Sequence, residues 1–238
     1  MSQTTSMLDT NYWQVVKKPF FSIASIVLTF VGLGLLSMGT SIWYLMFWSP
    51  VADPVATMRD VLAHAWDITL WQGHTSHSSA LAVYVSDFSY WAFFKLTWIH
   101  QAVERFSQDA PTNTVDMIFR NFIIVPNKQG LSVAMLAAQL FGVRLALIFA
   151  SVPLLIAAYL VGFVDGLVER YIRRVSAGRE SSSLYHRAKF FQLSGGVLML
   201  MAFVCIPIPV DPRWFLIPSA VLLGLLARLQ WKYYKKYL

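Results

Sequence analysis

Four stretches of the chain lack charge for long enough to read as membrane spans. Residues 20–48 run for 29 positions without Asp, Glu, Lys or Arg, where about 20 apolar residues suffice for a helix to cross the hydrocarbon core. The run is too long for a signal-peptide core and no small-residue cleavage site follows it, so it is expected to persist as the first span. Residues 145–164, bounded by Arg144 and Asp165, form the second. Residues 190–210, with the lone Cys205, form the third, and residues 214–231, interrupted by Arg228, the fourth. In lipid each span must satisfy its own backbone, which makes all four helices. Arg228 is expected to snorkel, its stem in lipid and its head at the interface.

Between the first two spans the pattern changes. Pro50, Pro54, Pro111 and Pro126 punctuate a region expected to form helices over 54–71, 80–108 and 112–124, with a loop at 73–79. Within 80–108, Tyr84, Phe88, Trp91 and Trp98 share one stripe by helical spacing. Asp87 and Lys95 would each cost about 2.5–3.5 kcal/mol near the centre of a span. The segment is therefore read as an amphipathic helix, its stripe packed within the protein rather than laid on the outer leaflet. The helix of the second span is expected to begin near Leu131 and to run on to Ala177. Spans three and four form a hairpin, because Ile206-Pro-Ile-Pro-Val-Asp-Pro-Arg213 is too proline-rich to stay helical. Trp43, Trp48 and Trp214 suit one aromatic belt, and Trp231, Tyr233 and Tyr234 the other.

Composition agrees with the spans: the chain is 57% hydrophobic and 13% charged, against about a quarter charged in soluble domains. Charge then sets orientation. Lys17 and Lys18, then Arg170, Arg173, Arg174, Arg179, Arg187 and Lys189, then Arg228, Lys232, Lys235 and Lys236 make twelve of the 19 basic residues. A four-span topology puts all of them on one side, which the positive-inside rule makes cytoplasmic. Residues 49–143, with five bases against seven acids, fall outside. The net charge of +7 is then mostly topology and not a nucleic-acid footprint. A single cysteine excludes an intrachain disulfide, and its apolar surroundings give it a packing role.

The polar stretch between spans two and three carries the most distinctive residues. If its helix continues to Ala177, Gly162, Gly166, Arg170 and Arg174 share one stripe, and Asp165, Glu169 and Arg173 the next. Glycines four apart let another helix approach closely. Glu169 four residues before Arg173 is the favourable order for an ion pair. Gly178 suits a helix C-cap, and Ser181 to Ser183 offer caps for the next helix. At the edge of its span Asp165 can hydrate or pair with an arginine, so structural pairing is favoured over a functional acid.

Candidate chemistry is thin. Asp165-Gly-Leu-Val-Glu-Arg170 followed by Gly178 superficially resembles the start of the metal-binding motif of CDP-alcohol phosphotransferases, which needs two further aspartates. Residues 182–189 contain no acid, so a hard cation has no ligands there. His74 and His77 have a two-residue gap, but zinc wants three or four protein ligands, and His64 and His100 are not motif-spaced. Ser76, Ser78 and Ser79 lack a nucleophile elbow. No glycine-rich phosphate loop is present, so the chain is not an ATPase by itself. No span shows the broken-helix pattern of transporters.

The run Gly162-Phe-Val-Asp-Gly-Leu-Val-Glu-Arg-Tyr-Ile-Arg-Arg174, with Gly178-Arg-Glu-Ser-Ser182 and Tyr185-His-Arg-Ala-Lys189, resembles a family of integrating-conjugative-element membrane proteins. Its members carry a similar run between two spans, and Tyr234-Lys-Lys-Tyr-Leu238 looks like the family's ending. The resemblance covers residues 130–238 best. It implies a role in conjugative DNA transfer, in a module encoded near the coupling ATPase of a type IV secretion system, and carries no established chemistry.

The expected molecule is an all-α, multi-pass protein of the bacterial inner membrane. It has four transmembrane helices, both termini cytoplasmic, and a helical periplasmic insertion between helices one and two. Its segments are a cytoplasmic arm (1–19), a first span (20–48), the periplasmic region (49–143), a second span with cytoplasmic extension (144–177), a basic loop (178–189), a transmembrane hairpin (190–231) and a basic tail (232–238). The expected function is that of a non-enzymatic accessory of conjugation, without cofactor or metal. Its interaction surface would comprise Gly162, Asp165, Gly166, Arg170, Arg173, Arg174, Gly178, Arg179, Glu180, Ser181, Tyr185, His186 and Lys189. The implied partners are the coupling ATPase and anionic phospholipids, with self-association kept open and no direct nucleic-acid contact. A lipid-modifying enzyme using 165–170, or a small transporter, are the alternatives.

Overall fold

The computed structural model describes residues 4–48, 51–71, 76–108, 117–118, 120–176 and 182–234, and among them regular structure is helical, with no strand. Seven helices organise it: α1 (Thr4–Trp43), α2 (Pro54–Trp71), α3 (Ser76–Tyr90), α4 (Ile99–Gln108), α5 (Lys128–Val175), α6 (Ser182–Cys205) and α7 (Arg213–Lys232). Four segments are long and apolar enough to cross a membrane: Ile23–Trp48, Val125–Val175, Leu184–Cys205 and Arg213–Lys232. The apolar side chains they leave exposed, such as Leu28, Leu35, Val161, Val164, Leu198 and Val221, mark a multi-pass membrane protein, since water would not favour such faces.

The axis of the molecule is α5, a helix of 48 residues. At about 1.5 Å per residue it is far longer than a bilayer core is thick. It starts at Lys128, just past Pro126, close to the expected Leu131, and ends at Val175. Pro153 lies inside it, a residue that the reading of one uninterrupted helix passes over. A proline within a helix loses one backbone hydrogen bond, a defect that helices in membranes tolerate.

Two groups of helices pack on α5 at different levels. Its first half meets α1, α2 and α3 around a core of Met58, Val61, Leu62, Phe93, Val133, Ala137 and Phe141. Close approach comes from small residues: a methyl on Gly142 would sit 2.6 Å from the Val85 carbonyl oxygen of α3. Its second half meets the α6–α7 hairpin. The hairpin link falls where the prolines put it: α6 ends at Cys205 and α7 starts at Arg213, so the apolar run drawn to 210 outlasts its helix by the stretch that Pro207 and Pro209 keep from continuing it.

The region between α1 and α5 departs most from expectation. The helix expected over 80–108 is broken. After α3 the chain makes a wide turn at Trp91–Lys95, closed by a bond from the Leu96 amide to the Trp91 carbonyl (2.8 Å). Trp98 then takes a left-handed backbone conformation, φ 63°, costly for a bulky residue, and α4 restarts at Ile99. Tyr90 and His100 tie the corner at 2.8 Å. The loop expected at 73–79 is shorter, since Ser76 to Ser79 already belong to α3. Of the helix expected over 112–124, residues 112–116 and 119 lie outside the described residues, and Arg120–Ile124 forms another wide turn. The arm expected at 1–19 is helical from Thr4 onward, continuous with α1.

The aromatic stripe of α3 is also turned around. Ala82, Ser86, Ser89 and Phe93 face the core, while Tyr84, Phe88, Trp91 and Trp98 are exposed. The expectation that the stripe packs within the protein is thus corrected: the tight seat on Gly142 admits only small side chains.

Candidate functional site

The polar end of the α5–α7 pair gathers most of the singled-out residues. Gly162 and Gly166 face α7. A methyl on Gly162 would overlap the Gly224 carbonyl, and one on Gly166 would lie 2.6 Å from the Arg228 carbonyl oxygen. The close approach expected of the glycine stripe is therefore made with α7 of the same chain. Phe163 meets Trp231 edge-on at 4.6 Å, and the Trp231 indole N–H donates to the Tyr159 hydroxyl at 3.0 Å. Trp231, expected in an aromatic belt, is thus a packing residue.

This contact puts four charges in a ladder. Arg228 Nε lies 2.8 Å from Asp165 Oδ2, its other end pairs with Glu169, and Lys232 Nζ reaches Glu169 Oε2 at 2.8 Å. Arg228 therefore does not simply snorkel to water, and the expected Glu169–Arg173 pair gives way to pairs across the helices. The reason is geometric. Both acids sit on the face that the glycines turn toward α7, which brings Arg228 and Lys232 within reach of them. Arg173 instead donates to the Lys232 carbonyl and stacks over Tyr233 at 4.7 Å, and Arg170 lies over Tyr234 at 5.4 Å. Arginines over aromatic faces gain cation–π attraction.

The remaining residues divide. Tyr185 packs edge-on against Tyr234 at 5.8 Å and against its neighbour His186. Arg174, His186, Arg187 and Lys189 are exposed. Gly178, Arg179, Glu180 and Ser181 lie outside the described residues. Below the ion pairs an apolar groove of about 420 Å³ runs between α5 and α7, walled by Leu154, Val161, Ile217 and Val221 and closed by Asp165 and Arg228. Of the histidines weighed as metal ligands, His74 is outside the described residues, and among those described no group of three metal-ligating side chains occurs.

One residue escaped the sequence reading. Arg144, taken there as a span boundary, is 3% exposed. Its guanidinium donates to the carbonyls of Phe203 (3.0 Å), Ile206 and Ile208 (2.8 Å) and lies over the Phe203 ring. It caps the end of α6, where free carbonyls carry partial negative charge, and pins the hairpin turn to α5. Its signal was a charge between uninterrupted apolar runs, a position that cannot face lipid cheaply.

The profile of the family described as IncC plasmid conjugative DNA transfer protein DtrJ-like matches residues 63–235. The chain belongs to the DtrJ-like family. The matched stretch runs from within α2 through α7, so it contains Arg144, the glycine contact and the charge ladder. A DtrJ-like chain is associated with conjugative DNA transfer, in line with the resemblance drawn from the 162–189 run. No curated protein and no solved structure matches the chain.

Proposed function

We propose that this DtrJ-like chain is a non-enzymatic accessory of conjugation in the bacterial inner membrane, both termini cytoplasmic, and that it binds the membrane part of the type IV coupling ATPase. The observation that supports this most is the division of charge at the end of α5–α7. Asp165 and Glu169 are taken up by Arg228 and Lys232, whereas Arg174, Arg187 and Lys189 are exposed around them. Cations so placed at a membrane edge suit acidic segments of a partner protein and anionic headgroups. The two glycines belong to the internal packing, so the contact surface on this reading is the arginine and lysine rim with Tyr185 and His186.

The test is crosslinking in a conjugating host, purification of this chain and mass spectrometry of what accompanies it. The expected result is recovery of the coupling ATPase, lost when Arg174 and Lys189 are both reversed to Glu at unchanged membrane abundance. Arg173 is unsuited to this test because it holds the Lys232 carbonyl. Recovery of only this chain and lipid, with DNA transfer intact after gene deletion, overturns the reading.

A further inference from the structure

The α3 helix is built inside-out for a helix in water. Its buried side carries Ala82, Ser86 and Ser89, and its outer side carries Tyr84, Phe88 and Trp91, which are 75%, 53% and 47% exposed. A helix on a water-facing surface buries its apolar stripe and presents its polar one. Here the polar groups are satisfied inside: Ser86 Oγ donates to the Gln139 carbonyl of α5 at 3.3 Å and Ser89 Oγ to the Val85 carbonyl at 2.8 Å. Inward hydroxyls with outward aromatics is the arrangement a lipid environment favours.

The outer face of α3 also continues a surface that already reads as lipid-facing. Phe88 lies 5.7 Å from Phe30, and Phe93 stacks on the same ring at 5.7 Å with 18° between planes. Gly34 lies directly under Phe93. Phe30 and Gly34 are well inside the apolar segment Ile23–Trp48, whose other side chains there, Ile26, Val27, Leu28, Val31 and Leu35, are exposed. An apolar surface therefore runs from α1 across α3, with the exposed Asp87 as the one charge within the α3 stripe.

From this continuity we infer that α3, with the turn that follows it, lies in the bilayer beside α1 as a membrane-embedded element that does not cross. The exposed Asp87 and Lys95 argue against a full span. The occupant of the aromatic face is phospholipid. A second copy or a partner helix would cover α3 without requiring the surface to run on into α1. The inference rests on reading α1 as a membrane span, and is independent of the coupling ATPase.

The test uses the full chain with Cys205→Ser, reconstituted into vesicles of phosphatidylethanolamine and phosphatidylglycerol. Single cysteines at Tyr84, Phe88 and Trp91 carry nitroxide labels, with Leu28 of α1 and Asp60 of α2 as references. All five side chains point outward, so labelling leaves the core intact, and a monodisperse elution profile checks this. Collision with oxygen, which partitions into lipid, is compared with collision with a water-soluble nickel chelate. The expected oxygen-to-nickel ratio at 84, 88 and 91 is severalfold above that at 60 and close to that at 28. Nickel-dominated collision at the α3 positions, with Leu28 lipid-like, overturns the inference and puts the face in water. Exclusion of both reagents overturns it in favour of a second copy or a protein partner. A water-like Leu28 overturns the membrane reading of α1, and the inference falls with it.

Discussion

The two halves of α5 are both largely apolar in sequence and have opposite surroundings. In the first half, from 133 to 147, Val133, Ala134, Ala137, Ala138, Leu140, Phe141, Gly142, Val143, Arg144, Ala146 and Leu147 are buried, with helices on every side. In the second, from 149 to 175, Ser151, Gly162 and Gly166 are buried, and Phe149, Leu154, Val161, Val164 and Val168 stay exposed. One helix thus serves as the centre of a protein core and then as one side of a two-helix seam. In the first half, exclusion of solvent by apolar packing supplies the stabilisation. In the second, lipid is as apolar as leucine, so close backbone contact and charge pairing must hold the helices together.

The largest expected effect comes from the seam. Gly162→Val puts a side chain into the Gly224 carbonyl. Backbone cannot yield there, so α7 must move away and the ion pairs of Arg228 and Lys232 go with it. Overpacking costs about 1–3 kcal/mol in a core that can relax, and this site has less freedom. The expected outcome is loss of monodisperse protein in detergent, read by size exclusion and thermal denaturation. Wild-type behaviour would mean that α5 and α7 are not packed on each other.

Next in size is the joint between the halves. Arg144→Leu removes a buried donor from the carbonyls that end α6, and unsatisfied buried acceptors cost about 1–3 kcal/mol. A clear fall in melting temperature is expected. Arg144→Lys should recover only part of it, because an ammonium lacks the planar fork that reaches several carbonyls at once. Equal stability of Leu and Lys variants would show that packing, not hydrogen bonding, makes this residue matter.

The ladder itself should count for less. Asp165 and Arg228 are each nearly half exposed, and exposed pairs contribute little. Asp165→Asn and Arg228→Gln are expected to lower the melting temperature slightly, and the double variant by less than their sum, since neighbours in one network are not additive. DNA transfer measured alongside separates roles: normal membrane abundance with lost transfer assigns Asp165 to partner contact, and parallel loss of both assigns it to the seam.

The four spans and the α6–α7 hairpin were legible because a long uncharged run and a cluster of prolines each decide the local structure alone. The glycine pair was legible for the same reason, as a local spacing, though it did not say which helix would approach. What could not be read were pairings distant in sequence. Glu169 takes its partners from residues 228 and 232, and the neighbour at 173, favourable by local rules, loses to them. Arg144 finds its carbonyls about sixty residues away. The stripe of α3 was seen and turned the wrong way, because periodicity gives the existence of an apolar face and not the solvent it meets. That α5 changes surroundings partway is also hidden, since an apolar run does not say whether protein or lipid covers it.

The smallest expected effects distinguish glycines that make the seam from those that do not. A methyl placed on Gly32 of α1 or Gly196 of α6 meets nothing within 4 Å. Helix propensity then favours alanine by about 1 kcal/mol, so Gly32→Ala and Gly196→Ala should leave the melting temperature unchanged or slightly raised. The informative measurement is DNA transfer in the same variants. If lipid covers these faces, a methyl is inconsequential and transfer is normal. If Gly196→Ala lowers transfer at full abundance and stability, the open space over it is where another helix comes close, because only close backbone approach makes a methyl matter. The partner contact would then lie on the lipid-exposed side of the hairpin, away from the basic rim. Gly162 and Gly196 would be two glycines used in one way, the first within the chain and the second between chains.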